Sequence, residues 1–264
     1  FRSLSANQLD AAVISALDSV AWAFNIRGAD VSHTPVALSF ALLNSDGTAD
    51  LYVEPHKVTD EVRAFLGNAV RIHDRSDFAP ALGKLEGKRI AVDPDRAVAA
   101  IFNALKNGGA KTIETLDPTI IPKAQKNPVE QAGHRAAQVR DGAALSRFLH
   151  WLSIAAPKGD QTELSAAAKL QEFREATGKL KDLSFDTISG AGPNGASPHY
   201  KVDEKSNRRI DPGSVYLVDS GGQYLDGTTD VTRTVWIATE SGKGRPTLEM
   251  KDRFTRVLKG HIAL

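Results

Sequence analysis

Asp219 and Asp230, eleven residues apart, are the residues of this chain best suited to do chemistry. They lie in the segment 215–235. It opens on the apolar run Val215-Tyr216-Leu217-Val218 and closes on β-branched and aromatic residues from 231 to 237. Between the runs stands Leu225-Asp226-Gly227, a strong hairpin signal. The expected result is one β-hairpin with a carboxylate on each arm. Side chains alternate faces along a strand, so register decides whether the carboxylates cooperate. With Leu225 and Asp226 at the tip, residue 219 pairs with 232 and residue 221 with 230. The two carboxylates then share a face as diagonal neighbours, roughly 7–8 Å apart at the backbone. With Asp226-Gly227 as the turn, the shared face is kept and the offset doubles. The shared face lets two carboxylates converge on one or two cations. The local pattern fits equally well an Asp that ends a strand and a second Asp left in solvent.

Several elements must position this hairpin. Residues 6–24 show an amphipathic helical pattern. Residues 36–43 and 49–53 read as strands around the turn Asn44-Ser45-Asp46-Gly47. Helical patterns follow at 59–68, 78–85 and 96–107, with short strands between them at 70–72, 89–92 and 112–115. This alternation predicts an α/β sandwich with part of its sheet parallel. Residues 117–128 hold three prolines and read as a linker. A long helix is expected over 129–154 and another over 162–177, started by Thr162 with Glu163 and Ser165. A mostly β segment follows, and residues 257–264 read as an amphipathic helix.

Bulk composition narrows the function classes. The 264 residues are enough for two modest cores. A net charge of +1 gives no electrostatic reason to expect nucleic acid or an anionic membrane. No apolar run is long enough to span a bilayer. The absence of Cys removes disulfides, thiol nucleophiles and thiolate zinc sites, leaving oxygen and imidazole ligands that suit manganese or magnesium.

The run from Asp219-Ser220-Gly221 through Tyr224, Asp226-Gly227-Thr228-Thr229-Asp230 to Thr232-Arg233-Thr234 is highly specific. It resembles the metal-binding segment of the Xaa-Pro aminopeptidases (aminopeptidase P) of the creatinase, or pita-bread, metallopeptidase family. Four further blocks resemble the same family in the same order. They are 20–30, 151–174 (with Pro157-Lys158-Gly159 and Thr162-Glu163), 185–200 (with Gly192-Pro193-Asn194-Gly195 and His199-Tyr200) and 257–264. The resemblance thus covers nearly the whole chain and points to the three-domain form. It implies an α/β (α+β) chain: a creatinase N-terminal-type α/β domain over 1–124, the family's middle domain, then the first part of a pita-bread catalytic domain over 125–264.

The resemblance also implies a site. The family binds two divalent metals through two Asp, one His and two Glu. Asp219 and Asp230 match the two Asp ligands. His199 matches an active-site histidine that contacts substrate, not metal. The other three ligands are expected beyond Leu264, and His261 matches a helical position instead of a ligand. Beginning at Phe1 and stopping within an apparent helix, the chain is expected to be an internal piece of a longer polypeptide. The implied activity is removal of the N-terminal residue from peptides with proline second. The implied metal is manganese, with zinc or cobalt next. The implied setting is a cytoplasmic homodimer acting on peptides, away from nucleic acid and membrane. Two other readings share the fold: a prolidase or creatinase-like relative, and a non-catalytic binding protein.

The remaining features have plainer readings. Residues 190–195 lack the Lys-Ser/Thr ending of a phosphate loop, and their glycines are expected to permit close backbone approach or a turn. Residues 201–209 read as a solvated loop. His33, His56, His73, His134 and His150 lack metal spacing. Trp22, Trp151 and Trp236 sit in apolar patterns and are expected in the core. Arg233 falls on the strand face opposite Asp230 and is given no catalytic part.

Overall fold

The structure is a computed structural model and describes residues 2–241 and 244–264. The chain divides into two compact units, Phe1–Asn127 and Pro128–Leu264.

The first unit is built on a six-stranded mixed sheet of order β4-β3-β2-β1-β5-β6. The helix α1 (Arg2–Ala6) leads into β1 (Ala11–Ile14) and then α2 (Leu17–Phe24). The strands β2 (Ser39–Asn44) and β3 (Ala49–Val53) form a hairpin. They are followed by α3 (Asp60–Leu66), β4 (Val70–His73), α4 (Phe78–Leu82), β5 (Arg89–Val92), α5 (Ala99–Asn107), β6 (Lys111–Glu114) and α6 (Ile120–Ala124). The pairs β1–β5, β5–β6 and β3–β4 are parallel, so the expected mixed sheet is present.

Residues 6–24 do not form one helix. Ala11-Ala12-Val13-Ile14 is a strand with all four residues buried, paired with β2 on one side and β5 on the other. A central strand covered on both faces is a continuous apolar run, which periodicity cannot tell from a buried helix segment. Ala12 and Ile14 pack with Ala41 and Leu51 in one core layer, while Ala11 and Val13 pack with Phe78, Ile90 and Leu105 in the other. The stretch 117–128 is also more than a linker, because it contains α6. Asp117 and Thr119 are buried, and the Asp117 N–H donates to Asp93 Oδ2 at 2.8 Å. Pro122 is accommodated because the first turn of a helix needs no N–H from it.

The second unit opens on the 28-residue helix α7 (Pro128–Ala155), with proline at its first position. The helix α8 (Glu163–Glu175) begins at a capping box in which Thr162 and Ser165 satisfy each other's backbone N–H groups. The strands are β7 (Asp182–Leu183), β8 (Ile188–Ala191), β9 (Val215–Ser220), β10 (Gly222–Tyr224), β11 (Gly227–Thr228) and β12 (Val231–Trp236), and α9 (Leu248–Ala263) follows. They form two small sheets, β12-β9-β8 and β11-β10-β7. Leu145, Phe148 and Leu152 of α7 and Ala166 and Leu170 of α8 pack on Tyr216 and Val218 of β9. This packing holds one face of the β9–β12 hairpin and leaves the other open. Trp151 packs at the edge of that core.

Candidate functional site

The hairpin keeps a single register from base to tip. Asp219 pairs with Thr232 and Ser220 with Val231, and beyond them Gln223 pairs with Thr228 and Tyr224 with Gly227. Leu225 and Asp226 are therefore the turn, the first of the two registers the sequence allows. On β9 the side chains of Tyr216, Val218 and Ser220 are buried in the core. Alternation puts Asp219 on the open face with Leu217, and Asp230 joins it from the other arm with Thr232 and Thr234. Asp219 is half-buried and Asp230 exposed.

The two carboxyl groups meet. Desolvation, then the negative charge of Asp219, push the Asp230 carboxyl above its ordinary value. Asp219 Oδ1 is buried and finds no hydrogen-bond donor. A buried carboxylate oxygen without a donor, facing a second carboxylate, is costly unless something positive binds there. A divalent cation relieves both defects, and an all-oxygen donor pair suits a hard ion. Among the described residues no three His, Cys, Asp or Glu side chains converge, so no third such side chain joins this carboxylate pair there.

A buried ion pair fixes the middle of the hairpin, at Ser220 and Tyr224. Arg174 of α8 and Asp141 of α7 are both fully buried and meet through two bonds of 2.8 and 3.0 Å. Arg174 also donates to Ser220 Oγ at 3.1 Å, and Tyr224 donates to Asp141 Oδ1 at 2.7 Å. Ser220 follows Asp219 directly, so the pair grips the strand one residue from the candidate ligand. Burial opposes ionisation of Asp141, but bonding to and attraction by Arg174 outweigh it and hold this carboxyl below its ordinary value. At the tip, Arg140 of α7 forks onto Asp226 with bonds of 2.9 and 2.8 Å. Between base and tip lies Gly221, opposite Asp230. A Cβ there would stand 1.8 Å from Thr229 O, so only glycine fits.

The turn that leads to His199 packs on the same face. Gly190 of β8 pairs with Leu217. A Cβ on Gly190 would meet the Gly195 Cα at 2.7 Å, and one on Gly195 would meet Leu217 Cβ at 3.3 Å. The 3-10 turn Gly192–Ala196 thus lies directly on the sheet, one alternation away from Asp219. The expectation of close backbone approach at 190–195 is met. His199 follows with φ of 55°, its side chain exposed. Asp219 and Asp230 are brought together; His199 sits on the covering loop without a hydrogen bond to either.

Other expected features fall away from the site. His73 bonds Asp50 in the first unit at 2.8 Å. Trp236 is half-buried and donates to Gly244 O at 3.2 Å. Among the described residues no helix is long and apolar enough to cross a membrane. Sequence reasoning missed Asp141, Arg174 and the side-chain role of Glu163. A signal was present: Asp141 lies four residues before Leu145, and Arg174 four after Leu170, so each charge falls on its helix's buried stripe.

Comparison with known proteins agrees with this geometry. Residues 132–264 match the model of metallopeptidase family M24, and residues 1–130 match the creatinase/prolidase N-terminal domain. A probable Xaa-Pro aminopeptidase P of Aspergillus clavatus is 43% identical over 96% of this chain and 39% of its own length. Its counterpart from Paracoccidioides brasiliensis is 41% identical over 96% of this chain and 42% of its own. This chain spans about two-fifths of the length of these relatives. The crystal structure of X-prolyl aminopeptidase from Caenorhabditis elegans, a cytosolic enzyme with a di-nuclear active site, superposes with a TM-score of 0.89. It is 34% identical and covers 100% of this chain and 43% of its own. The fold class that the family resemblance implies, a creatinase N-terminal-type unit followed by pita-bread sequence, is the one found.

Proposed function

This chain belongs to metallopeptidase family M24, and on that premise we propose that the protein carrying it is a metal-dependent Xaa-Pro aminopeptidase. It releases the N-terminal residue from peptides with proline in second position. The observation that carries the reading is the meeting of Asp219 and Asp230 on one open hairpin face, with Asp219 Oδ1 buried and unpaired.

Asp219 and Asp230 would hold a pair of divalent ions, manganese first, together with ligands in the part of the protein outside these 264 residues. Such a pair supplies Lewis acidity and lowers the pKa of water near neutral pH. The chain's own residues do the rest. Asp219 and Asp230 fix charge at one spot of a rigid hairpin, clamped by Arg174 and Asp141 at its middle and Arg140 at its tip. His199, on the loop over that face, donates a hydrogen bond to the carbonyl oxygen of the scissile bond and stabilises the charge that develops there. The ring nitrogen of a second-position proline carries no N–H, so recognition cannot rely on one.

Residues 1–124 serve as the family's middle domain and 125–264 as the start of its catalytic domain. The cytoplasmic placement is supported by the cytosolic description of the Caenorhabditis elegans enzyme, and the homodimer by family resemblance alone. The test is hydrolysis by the full-length protein, stripped with chelator and then given manganese. Arg-Pro-Pro should be cleaved and Arg-Ala-Pro spared. Equal cleavage of both, or full activity in chelator, would reject the reading.

A further inference from the structure

Glu163 is the first residue of α8, and its side chain is completely buried. Both carboxyl oxygens accept hydrogen bonds, and every donor comes from outside the helix. Oε1 takes the Ala191 N–H at 2.7 Å and the Asn194 amide at 3.0 Å. Oε2 takes the Arg208 N–H at 2.9 Å and the Tyr200 hydroxyl at 2.9 Å. The main chain of Glu163 extends the set: its N–H donates to Arg208 O at 2.9 Å and its carbonyl accepts from Ser189 Oγ at 2.8 Å. The start of α8 does not need this side chain, because Thr162 and Ser165 already form the capping box. The carboxyl group instead gathers the loop from Ala191 to Arg208.

His199 lies inside that loop with φ of 55°. A non-glycine residue there is strained and persists only where its surroundings over-determine it. Its neighbours do so. Tyr200 reaches Glu163 with its hydroxyl, and its N–H donates to Ser197 O at 3.3 Å. Asn194 bonds both Glu163 and Tyr200. The backbone of His199 is therefore held from both sides while its side chain stays exposed.

We propose that Glu163 is a positioning residue: through Tyr200 and Asn194 it holds the strained loop that sets His199 over the face carrying Asp219 and Asp230. This rests on the reading of His199 as the group that contacts the substrate carbonyl. Glu163 itself touches no substrate.

Tyr200→Phe removes one anchor and leaves three donors on Glu163, so the fold should survive it. Glu163→Gln sets an NH2 group against donors that need an acceptor. In the full-length protein, Tyr200→Phe should lower kcat on Arg-Pro-Pro about tenfold, with KM within twofold and bound metal unchanged. In a His199→Ala background it should cause no further loss, because the residue it positions is gone. Hydrogen exchange at amides 194–200 should speed up about tenfold in Tyr200→Phe and more in Glu163→Gln, with α7 and the body of α8 still protected. If the wild-type protein cleaves no Xaa-Pro peptide, the aminopeptidase reading fails, and the exchange measurement still decides whether Glu163 holds the loop. Losses that multiply between Tyr200→Phe and His199→Ala, or unchanged exchange at 194–200, would overturn the positioning role.

Discussion

Asp219 and Asp230 place two negative groups where one is buried without a donor and the other is pushed above its ordinary value by burial and by its neighbour. In the metal-free chain this arrangement works against folding; under the proposed function, bound cations would offset that cost. Substitutions in this pair should therefore act differently on activity and on stability. In the full-length protein, Asp219→Ala or Asp230→Ala should remove manganese-dependent cleavage of Arg-Pro-Pro, a loss of at least about a thousandfold. In the metal-free 264-residue chain, Asp230→Asn should leave Tm unchanged or raise it slightly, because it removes repulsion from Asp219. The gain is trimmed by solvent, since Asp230 is exposed. Thermal melts in chelator check this, and a marked fall in Tm would mean that the carboxylates do not oppose each other. The shared face of these two residues was legible from a hairpin signal and a parity count, while their reading as metal ligands came from the family resemblance of the segment around them. The choice of register was not legible, since both turns preserve the shared face.

At the scale of elements, the hairpin depends on groups the sequence did not announce. The Arg174–Asp141 pair is fully buried, and breaking one partner strands a charge in the core. Arg174→Ala should cost about 3–5 kcal/mol in the second unit by denaturant unfolding. Arg140→Ala at the partly exposed tip should cost about 1 kcal/mol or less. Similar small losses for both would contradict the account of the buried clamp. Gly221→Ala should splay the hairpin at Asp230, since its Cβ would need the space of Thr229 O. Periodicity misjudged residues 6–24 for a related reason. Burial on both faces of β1 erased the alternation that marks a strand, and only its pairing with β2 and β5 reveals it.

Across the whole molecule, each unit carries its own acid-sensitive pair. In the first unit, burial of Asp50 is outweighed by bonds from Arg71, Asn44 and His73, which hold its carboxyl down to about 2. The unfolded value lies near 3.9, so this stabilisation is complete above about pH 4 and is lost as pH falls towards 2, roughly 2 kcal/mol in all. Asp141 in the second unit is depressed as well, so its contribution disappears in the same direction. Acid unfolding of Asp50→Asn should lose the part of the pH dependence that belongs to the first unit. The mixed sheet and the shared face of Asp219 and Asp230 could be read from residue patterns. The helical stripe marks Asp141 and Arg174 as buried, but the clamps they and Glu163 form depend on which side chain meets which in three dimensions. The central claim is that Asp219 and Asp230 are metal ligands. Counting bound manganese by calorimetry and elemental analysis tests it most directly, on the full-length protein and on its Asp219→Ala/Asp230→Ala variant. Two ions per chain in the wild type and none held tightly in the folded variant is the expected result; two ions retained by the variant would contradict it.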